Sequence, residues 1–212
     1  MSTVNAVVRL DLMTVRPYHK QLAFMLVGGA IVAVLLRQPG AALPMAAIYA
    51  TLIASYPFAI GDKADLATLS ATLPVRRETV VVGRYLFALV AFALAQVIGL
   101  ACMLVIAATS GAQFERGAIL PLGCVSFALF ALTAGIQVPL YFALGYTRAR
   151  LLGYIPFFAI FVLVGALAAH LPGGPDPAGA AWLLSVVPLG VGMLLIAASC
   201  AVSVRLYGRR RL

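Results

Sequence analysis

Charge is scarce in this chain. Asp, Glu, Lys and Arg together make up 10% of its 212 residues, and only six side chains are acidic. A soluble domain carries about 25% charged residues. The apolar share is 64% and the mean hydropathy is +1.07, so too few charges remain to surround a core of that size in water. These proportions exclude an ordinary water-soluble globule. A bilayer removes the conflict, because lipid solvates the apolar surface and the charges mark where the chain leaves it. The net charge of +9 then belongs to membrane-flanking loops, not to a nucleic-acid-binding face.

Histidine and lysine are scarcer still. The two histidines, His19 and His170, fall in segments expected at opposite faces of the membrane. They therefore supply neither the paired ligands of a membrane haem carrier nor the base of a hydrolase. Ser110, although next to Gly111, lacks the flanking pattern of a nucleophile elbow. The lysines are Lys20 and Lys63, and neither closes the Gly-rich turn ending in Gly-Lys-Ser/Thr that cradles nucleotide phosphates. No enzyme activity is expected of this chain. Three cysteines, Cys102, Cys124 and Cys200, sit inside apolar stretches without metal-type spacing and read as small packing residues. The opening residues do not read as a cleavable signal.

What the chain does have is apolar runs. A spanning helix takes roughly 20 mostly apolar residues, and six runs qualify: 21–36, 41–60, 85–109, 118–146, 151–171 and 181–204. The expected fold class is an all-α integral membrane protein in one permease-like domain, 1–212. It divides into an interfacial helix (1–20), two spans (21–60), a cytoplasmic segment (61–84), four further spans (85–204) and a basic tail (205–212). Thirteen of the fifteen Lys and Arg residues fall on one set of loops and termini, leaving only Arg37 and Arg116 on the other. Basic loops are retained on the cytoplasmic side, which puts both termini inside, as an even number of spans requires. Pro57, Pro139, Pro156 and Pro188, with Gly28-Gly29, interrupt several spans. They read either as simple kinks or as points where helices move.

Two cytoplasmic segments are not simple loops. In residues 1–20, Val4, Val7, Val8, Leu12 and Val15 share one helical arc, while Asn5, Arg9 and Arg16 share another. That pattern suits a helix lying in the membrane interface. Asp11 falls inside the apolar arc. A carboxylate there either takes a cationic partner from another element or sits unpaired at the wet edge. The second segment opens with Asp62-Lys63-Ala64-Asp65, where Asp62 can cap a helix and Asp65 suits its dipole. Leu66, Leu69 and Leu73 then repeat on one face, and Pro74 stops the helix. A new helix is expected to begin around Arg76-Arg77-Glu78 and to run into the third span. The short helix reads as a plug for a groove on a partner protein, or as an interfacial helix that only orients the bundle.

These residues carry a resemblance. Asp62-Lys63, Leu69 to Leu73, Pro74-Val75-Arg76-Arg77, Val80-Val81 and Gly83-Arg84-Tyr85 resemble, in type, order and spacing, the segment between spans two and three of ABC-2 type transporter permeases. Arg9-Leu10-Asp11-Leu12 and the six-span layout are similar to that family as well. Arg76 departs from it, since the family often has Ser or Thr there. The resemblance implies that residues 62–73 form a coupling helix that docks into a separate ABC ATPase subunit, with Asp62, Lys63, Asp65, Leu66, Leu69, Leu73, Pro74, Arg76 and Arg77 as contact residues. It further implies that ATP and Mg are bound on that partner and none in this chain. A second permease subunit would complete a homodimer or a paired heterodimer in a prokaryotic cytoplasmic membrane, working as an exporter.

No charged residue is expected inside a span, which disfavours an ion-driven secondary transporter; a scaffold or accessory subunit stays open. Among polar residues in the spans, Gln96, Gln137 and Tyr141 cost most to leave facing lipid. They read as interhelical hydrogen-bonding groups or as the lining of an uncharged path for an amphipathic or apolar substrate.

Overall fold

The computed structural model describes residues 3–18, 20, 27, 28, 31, 35, 39–63, 77–110, 116–152, 155 and 177–209. Five helices organise them: α1 (Thr3–Val15), α2 (Ala42–Lys63), α3 (Arg77–Ser110), α4 (Ile119–Leu144) and α5 (Pro177–Arg209). No strand occurs among the described residues. Among the described residues, four stretches are long and apolar enough to cross a membrane: Pro39–Asp62, Glu78–Thr109, Ile119–Leu144 and Ser185–Gly208. They match the expected second, third, fourth and sixth spans. Most of the expected first and fifth spans lies outside the described residues. The chain is an all-α, multi-pass membrane protein.

The helices overrun the expected boundaries where the chain turns polar. Helix α2 continues past Ile60 to Lys63, and α5 continues past Val204 to Arg209. No proline lies in 61–63 or 205–209, a lone glycine in each (Gly61, Gly208) weakens a helix without ending it, and an α-helix leaving the hydrocarbon still satisfies its backbone internally. The start of α3 at Arg77 agrees with the expected new helix. Pro57, Pro139 and Pro188 all lie within continuous helices, whereas Pro156 lies outside the described residues.

Between helices in lipid there is little hydrophobic drive, so close approach of small residues carries much of the association. The seam of α2 and α3 is built this way. Ala46, Ala47, Ala50 and Ala54 of α2 pack with Ala88 and Ala95 of α3, and Phe130 and Ala134 of α4 close the cluster. Gly99 continues the α3 row one turn beyond Ala95. A Cβ there would lie 2.7 Å from the Ala46 Cβ and 3.2 Å from the Ala42 carbonyl oxygen. Phe92 fills the wider gap between α3 and α4, stacked on Phe130 at 4.6 Å and edge-on to Phe127 at 5.5 Å. The most extensive contact is between α4 and α5. There Ser199 donates to the Gly135 carbonyl at 2.7 Å, and the Tyr85 hydroxyl of α3 bonds Ser199 at 2.5 Å and Ser203 at 2.9 Å. The hydroxyls of Thr51, Ser55, Ser126 and Thr133 instead donate to carbonyls one turn back in their own helices, so they need no partner elsewhere.

Helix α4 ends at Gly145, whose φ of 80° and ψ of 160° belong to a region almost confined to glycine. Its N–H still bonds the Tyr141 carbonyl, and a further helix starts immediately after, described over 146–152 and at 155.

The Gly99 approach generates a prediction. Gly99→Ala should lower stability by about 1–3 kcal/mol, because the Ala46 methyl and the Ala42 backbone cannot rotate away. Gly190→Ala, where a Cβ would meet open space, should fall within about 0.5 kcal/mol of wild type. Unfolding midpoints in mixed detergent compare the two.

Candidate functional site

One end of the bundle gathers the C-terminus of α2, the N-terminus of α3 and the C-termini of α4 and α5, and α1 packs across α3 and α2 there. Exposed Arg9, Arg16, Arg148, Arg150 and Arg205 surround it. At its centre the Arg84 Nε of α3 lies 3.2 Å from the Asp11 Oδ2 of α1. Asp11 is 1% exposed. The Arg84 guanidinium also sits over the Phe58 ring of α2, 4.6 Å from its centroid, a cation–π contact that strengthens as water is excluded. Phe58 in turn packs edge-on to Phe142 at 5.1 Å and against Tyr141 at 5.2 Å, and Phe142 meets Tyr207 of α5 at 5.2 Å. A single buried cation thus sits where elements from all five helices converge.

Of the two readings of Asp11, the structure selects the cationic partner. It also shows what covers the apolar arc of α1. Asp11 and Val15, near the middle of that arc, face the bundle and are buried, whereas Leu12 at its edge and Leu10 and Met13 outside it are exposed. Burial pushes the Asp11 carboxyl above the usual carboxylate range, against the pull of the Arg84 charge. Arg84, which the sequence assigned to the segment before the third span, lies on the same continuous helix as that span, about two turns from its start at Arg77. A long side chain near a helix end reaches a partner at the interface, and here the partner is a carboxylate.

Asp62 is a helix cap, but of a different helix. It lies in the last turn of α2, and its Oδ2 accepts from the Thr147 backbone N–H at 3.0 Å and the Thr147 hydroxyl at 3.2 Å. Thr147 is the second residue of the helix that follows α4, so Asp62 satisfies an N-terminal donor there. The sequence reading missed Phe58 and Thr147. Arg76-Arg77-Glu78, Val80-Val81 and Gly83-Arg84-Tyr85 pointed to this end of α3. Lys63 closes α2 and Arg77 opens α3. Asp65, Leu66, Leu69, Leu73, Pro74 and Arg76 lie outside the described residues. The two helices deliver both ends of segment 64–76 to the basic end, next to the Asp11–Arg84 pair.

The three polar residues read as path candidates separate. Gln137 and Tyr141 are buried in the bundle and engaged there. Gln96, on α3, lines a lateral groove of about 430 Å³ together with Leu43, Phe92, Leu100, Gly123 and Phe127. Its Nε2 donates to the Leu43 carbonyl at 3.2 Å. No group of three or more potential metal ligands occurs among the described residues.

The ion pair predicts an asymmetric mutational response. Arg84 cannot lose its proton, so Asp11→Leu strands a buried cation and should cost about 3–5 kcal/mol. Arg84→Met leaves a carboxylate that can neutralise itself, and it should cost less. With the Arg84 charge gone, the Asp11 carboxyl rises further above its unfolded value. The R84M protein should therefore be most stable at low pH, below the unfolded carboxyl value, and lose stability as pH rises through the folded one. The double variant should recover most of the loss. A double-mutant cycle on unfolding midpoints, run across pH, reads all three outcomes.

Comparison with curated proteins and with solved structures finds no match for the chain. Comparison with protein-family models matches residues 7–208 to the family described as "ABC-2 family transporter protein". That match runs from inside α1 to near the end of α5 and takes in both halves of the ion pair. The chain belongs to the ABC-2 transporter family, as a membrane-spanning permease component.

Proposed function

We propose that this chain is the permease subunit of an ABC-2 type exporter, driven by ATP hydrolysis on a separate cytoplasmic subunit that also holds the Mg. The observation that carries the reading is the placement of α1 and of the two helix ends that flank segment 64–76. Lys63 closes α2 and Arg77 opens α3 at the basic end of the bundle, Arg77 seven residues before Arg84, in a chain that belongs to a transporter family. On this reading the basic end is cytoplasmic, as the retention of Lys- and Arg-rich loops favours. Both termini are inside, and the described helices are four of six spans in a prokaryotic cytoplasmic membrane. Residues 62–73 are the coupling helix, with Leu66, Leu69 and Leu73 as its docking stripe. Asp62, tied to Thr147, and Lys63 brace its root.

The mechanism follows from the packing. Closure of the ATPase pair displaces the coupling helix. Arg77 opens α3, and Arg84 lies about 10 Å further along at 1.5 Å per residue. Displacement at the segment therefore reaches the Asp11–Arg84–Phe58 junction first. Because that junction joins α1, α2 and α3, these helices move together, and α4 and α5 follow through Phe142 and Tyr207. Two such subunits facing each other enclose the path. The substrate is an amphipathic or apolar molecule.

The test is co-purification in mild detergent with an ATPase subunit encoded beside the gene. The wild type should retain the ATPase, and Leu69→Glu, which places a charge on the docking stripe, should lose it while remaining folded. An ATPase held equally by both would remove the coupling-helix assignment. If neither chain held one, the stretch would be an interfacial helix and the partner reading would fall.

A further inference from the structure

The lateral groove has a composition that selects for its occupant. Its walls come from α3 and α4, with Leu43 of α2 and Leu189 of α5 closing its ends. Every lining side chain is uncharged, and Gln96 is the one strongly polar residue among them. The Gln96 Oε1 has no hydrogen-bond partner and is shut off from solvent. Its Nε2 bond to the Leu43 carbonyl is long, at 3.2 Å. That carbonyl lies in the first turn of α2, where it already accepts an intrahelical bond. The tie is therefore redundant for the helix, and the terminal torsion of a glutamine is soft. Turning the carboxamide into the groove costs one weak bond and relieves an orphaned acceptor.

The depth also matters. Gln96 is close to the middle of the span Glu78–Thr109, where water is not available to satisfy the amide. A helix packed over the groove could cover it, but its backbone N–H groups would already be used, so the amide is satisfied by a side-chain donor or by a donor that a bound ligand brings. An anion is disfavoured by an acceptor in an uncharged wall, and a cation finds no carboxylate among the lining residues. An apolar body with one neutral donor fits all of these constraints. The volume lies within the ordinary range for small-molecule pockets.

We propose that this groove is where the permease takes up its substrate. That substrate is a neutral, single-chain amphiphile whose chain lies along Phe92, Leu100 and Phe127 and whose hydroxyl or amide N–H pairs with the Gln96 carboxamide. The inference rests on the permease reading but is measured on this chain alone. Failure of ATPase docking leaves it standing, and failure of binding leaves the docking reading standing.

Gly123 supplies the means of testing it. It lines the groove, and a Cβ built there would meet nothing within 4 Å. Gly123→Leu therefore fills the groove without displacing the helices, and it replaces a poor helix former with a good one. The probes are hexadecanol carrying a mid-chain diazirine and its methyl ether, which lacks the donor. Both are photolysed with the protein in phosphatidylcholine nanodiscs, and adducts are mapped by mass spectrometry. In wild type the alcohol should label α3 and α4 at the groove saturably, about fivefold more than the ether, as one hydrogen bond allows. Gln96→Leu should remove the preference while leaving the labelling, and Gly123→Leu should remove both. Equal labelling by alcohol and ether in wild type would overturn the proposal. So would labelling that survives Gly123→Leu, as ordinary boundary lipid would give, or an unlabelled groove, as cover by another segment or a second copy would give.

Discussion

A buried arginine that cannot discharge sets the terms for one whole end of this protein. Most buried ionisable groups escape the cost of desolvation by changing protonation state, but a guanidinium does not. Arg84 must therefore keep a counter-charge, and Asp11 provides it from a different helix. The consequence is architectural. Helix α1 carries exposed Leu10, Leu12 and Met13, so on apolar contact alone it could float in the membrane interface. It is instead bound to the base of α3, because releasing it would leave a cation buried between Phe58 and the ends of α4 and α5. Replacing such a pair with apolar residues is often neutral or stabilising. Its presence here therefore points to a requirement for a defined register between α1 and α3 over a requirement for stability.

The opposite half of the bundle is held by a different principle. Alanine rows on α2 and α3 bring the two backbones together at Gly99. Most hydroxyls are absorbed by their own helices, and the Tyr85–Ser199–Ser203 cluster that crosses between helices lies back toward the basic end, beside Arg84. Contacts of this kind are graded: a small slide of one helix changes many weak terms slightly. The ion pair is not graded, because it is either made or broken over about an ångström in a poorly screened site. The two halves differ in how they can yield. The basic end moves as a unit, and the small-residue seams accommodate the motion by shear.

Much of this was legible in the sequence, and the parts that were not share a cause. Long apolar runs with basic flanks reveal spans directly, so α2, α3, α4 and α5 lie close to where the composition placed them. The short motif Gly83-Arg84-Tyr85 marked the base of α3, and Asp11 stood out as a carboxylate in an apolar arc. What covers the apolar arc of α1 was not legible, because such an arc reads the same whether lipid or protein lies against it. The partner of Asp62 was hidden for a related reason. A capping carboxylate advertises its chemistry but not the helix it caps, and Thr147 is 85 residues away. Gln96, Gln137 and Tyr141 looked equivalent as polar residues in apolar runs. The structure separates them by environment, which no single helix encodes.

The distribution of charge also bears on where the energy for transport enters. An ion-driven carrier holds its ionisable groups near mid-depth, where the coupled ion must bind. In the described helices the buried ionic pair is instead confined to the basic end, about two turns into α3, and the groove at mid-depth is uncharged. A site that recognises its ligand by one amide and apolar surface has no charge with which to exchange a proton or a metal ion. On the proposed reading, work therefore enters mechanically at segment 64–76 and meets its first fixed point at Arg84. Substrate recognition and energy input are then separated along one helix, with Gln96 twelve residues from Arg84, about 18 Å at 1.5 Å per residue. A rigid α3 is sufficient to connect them.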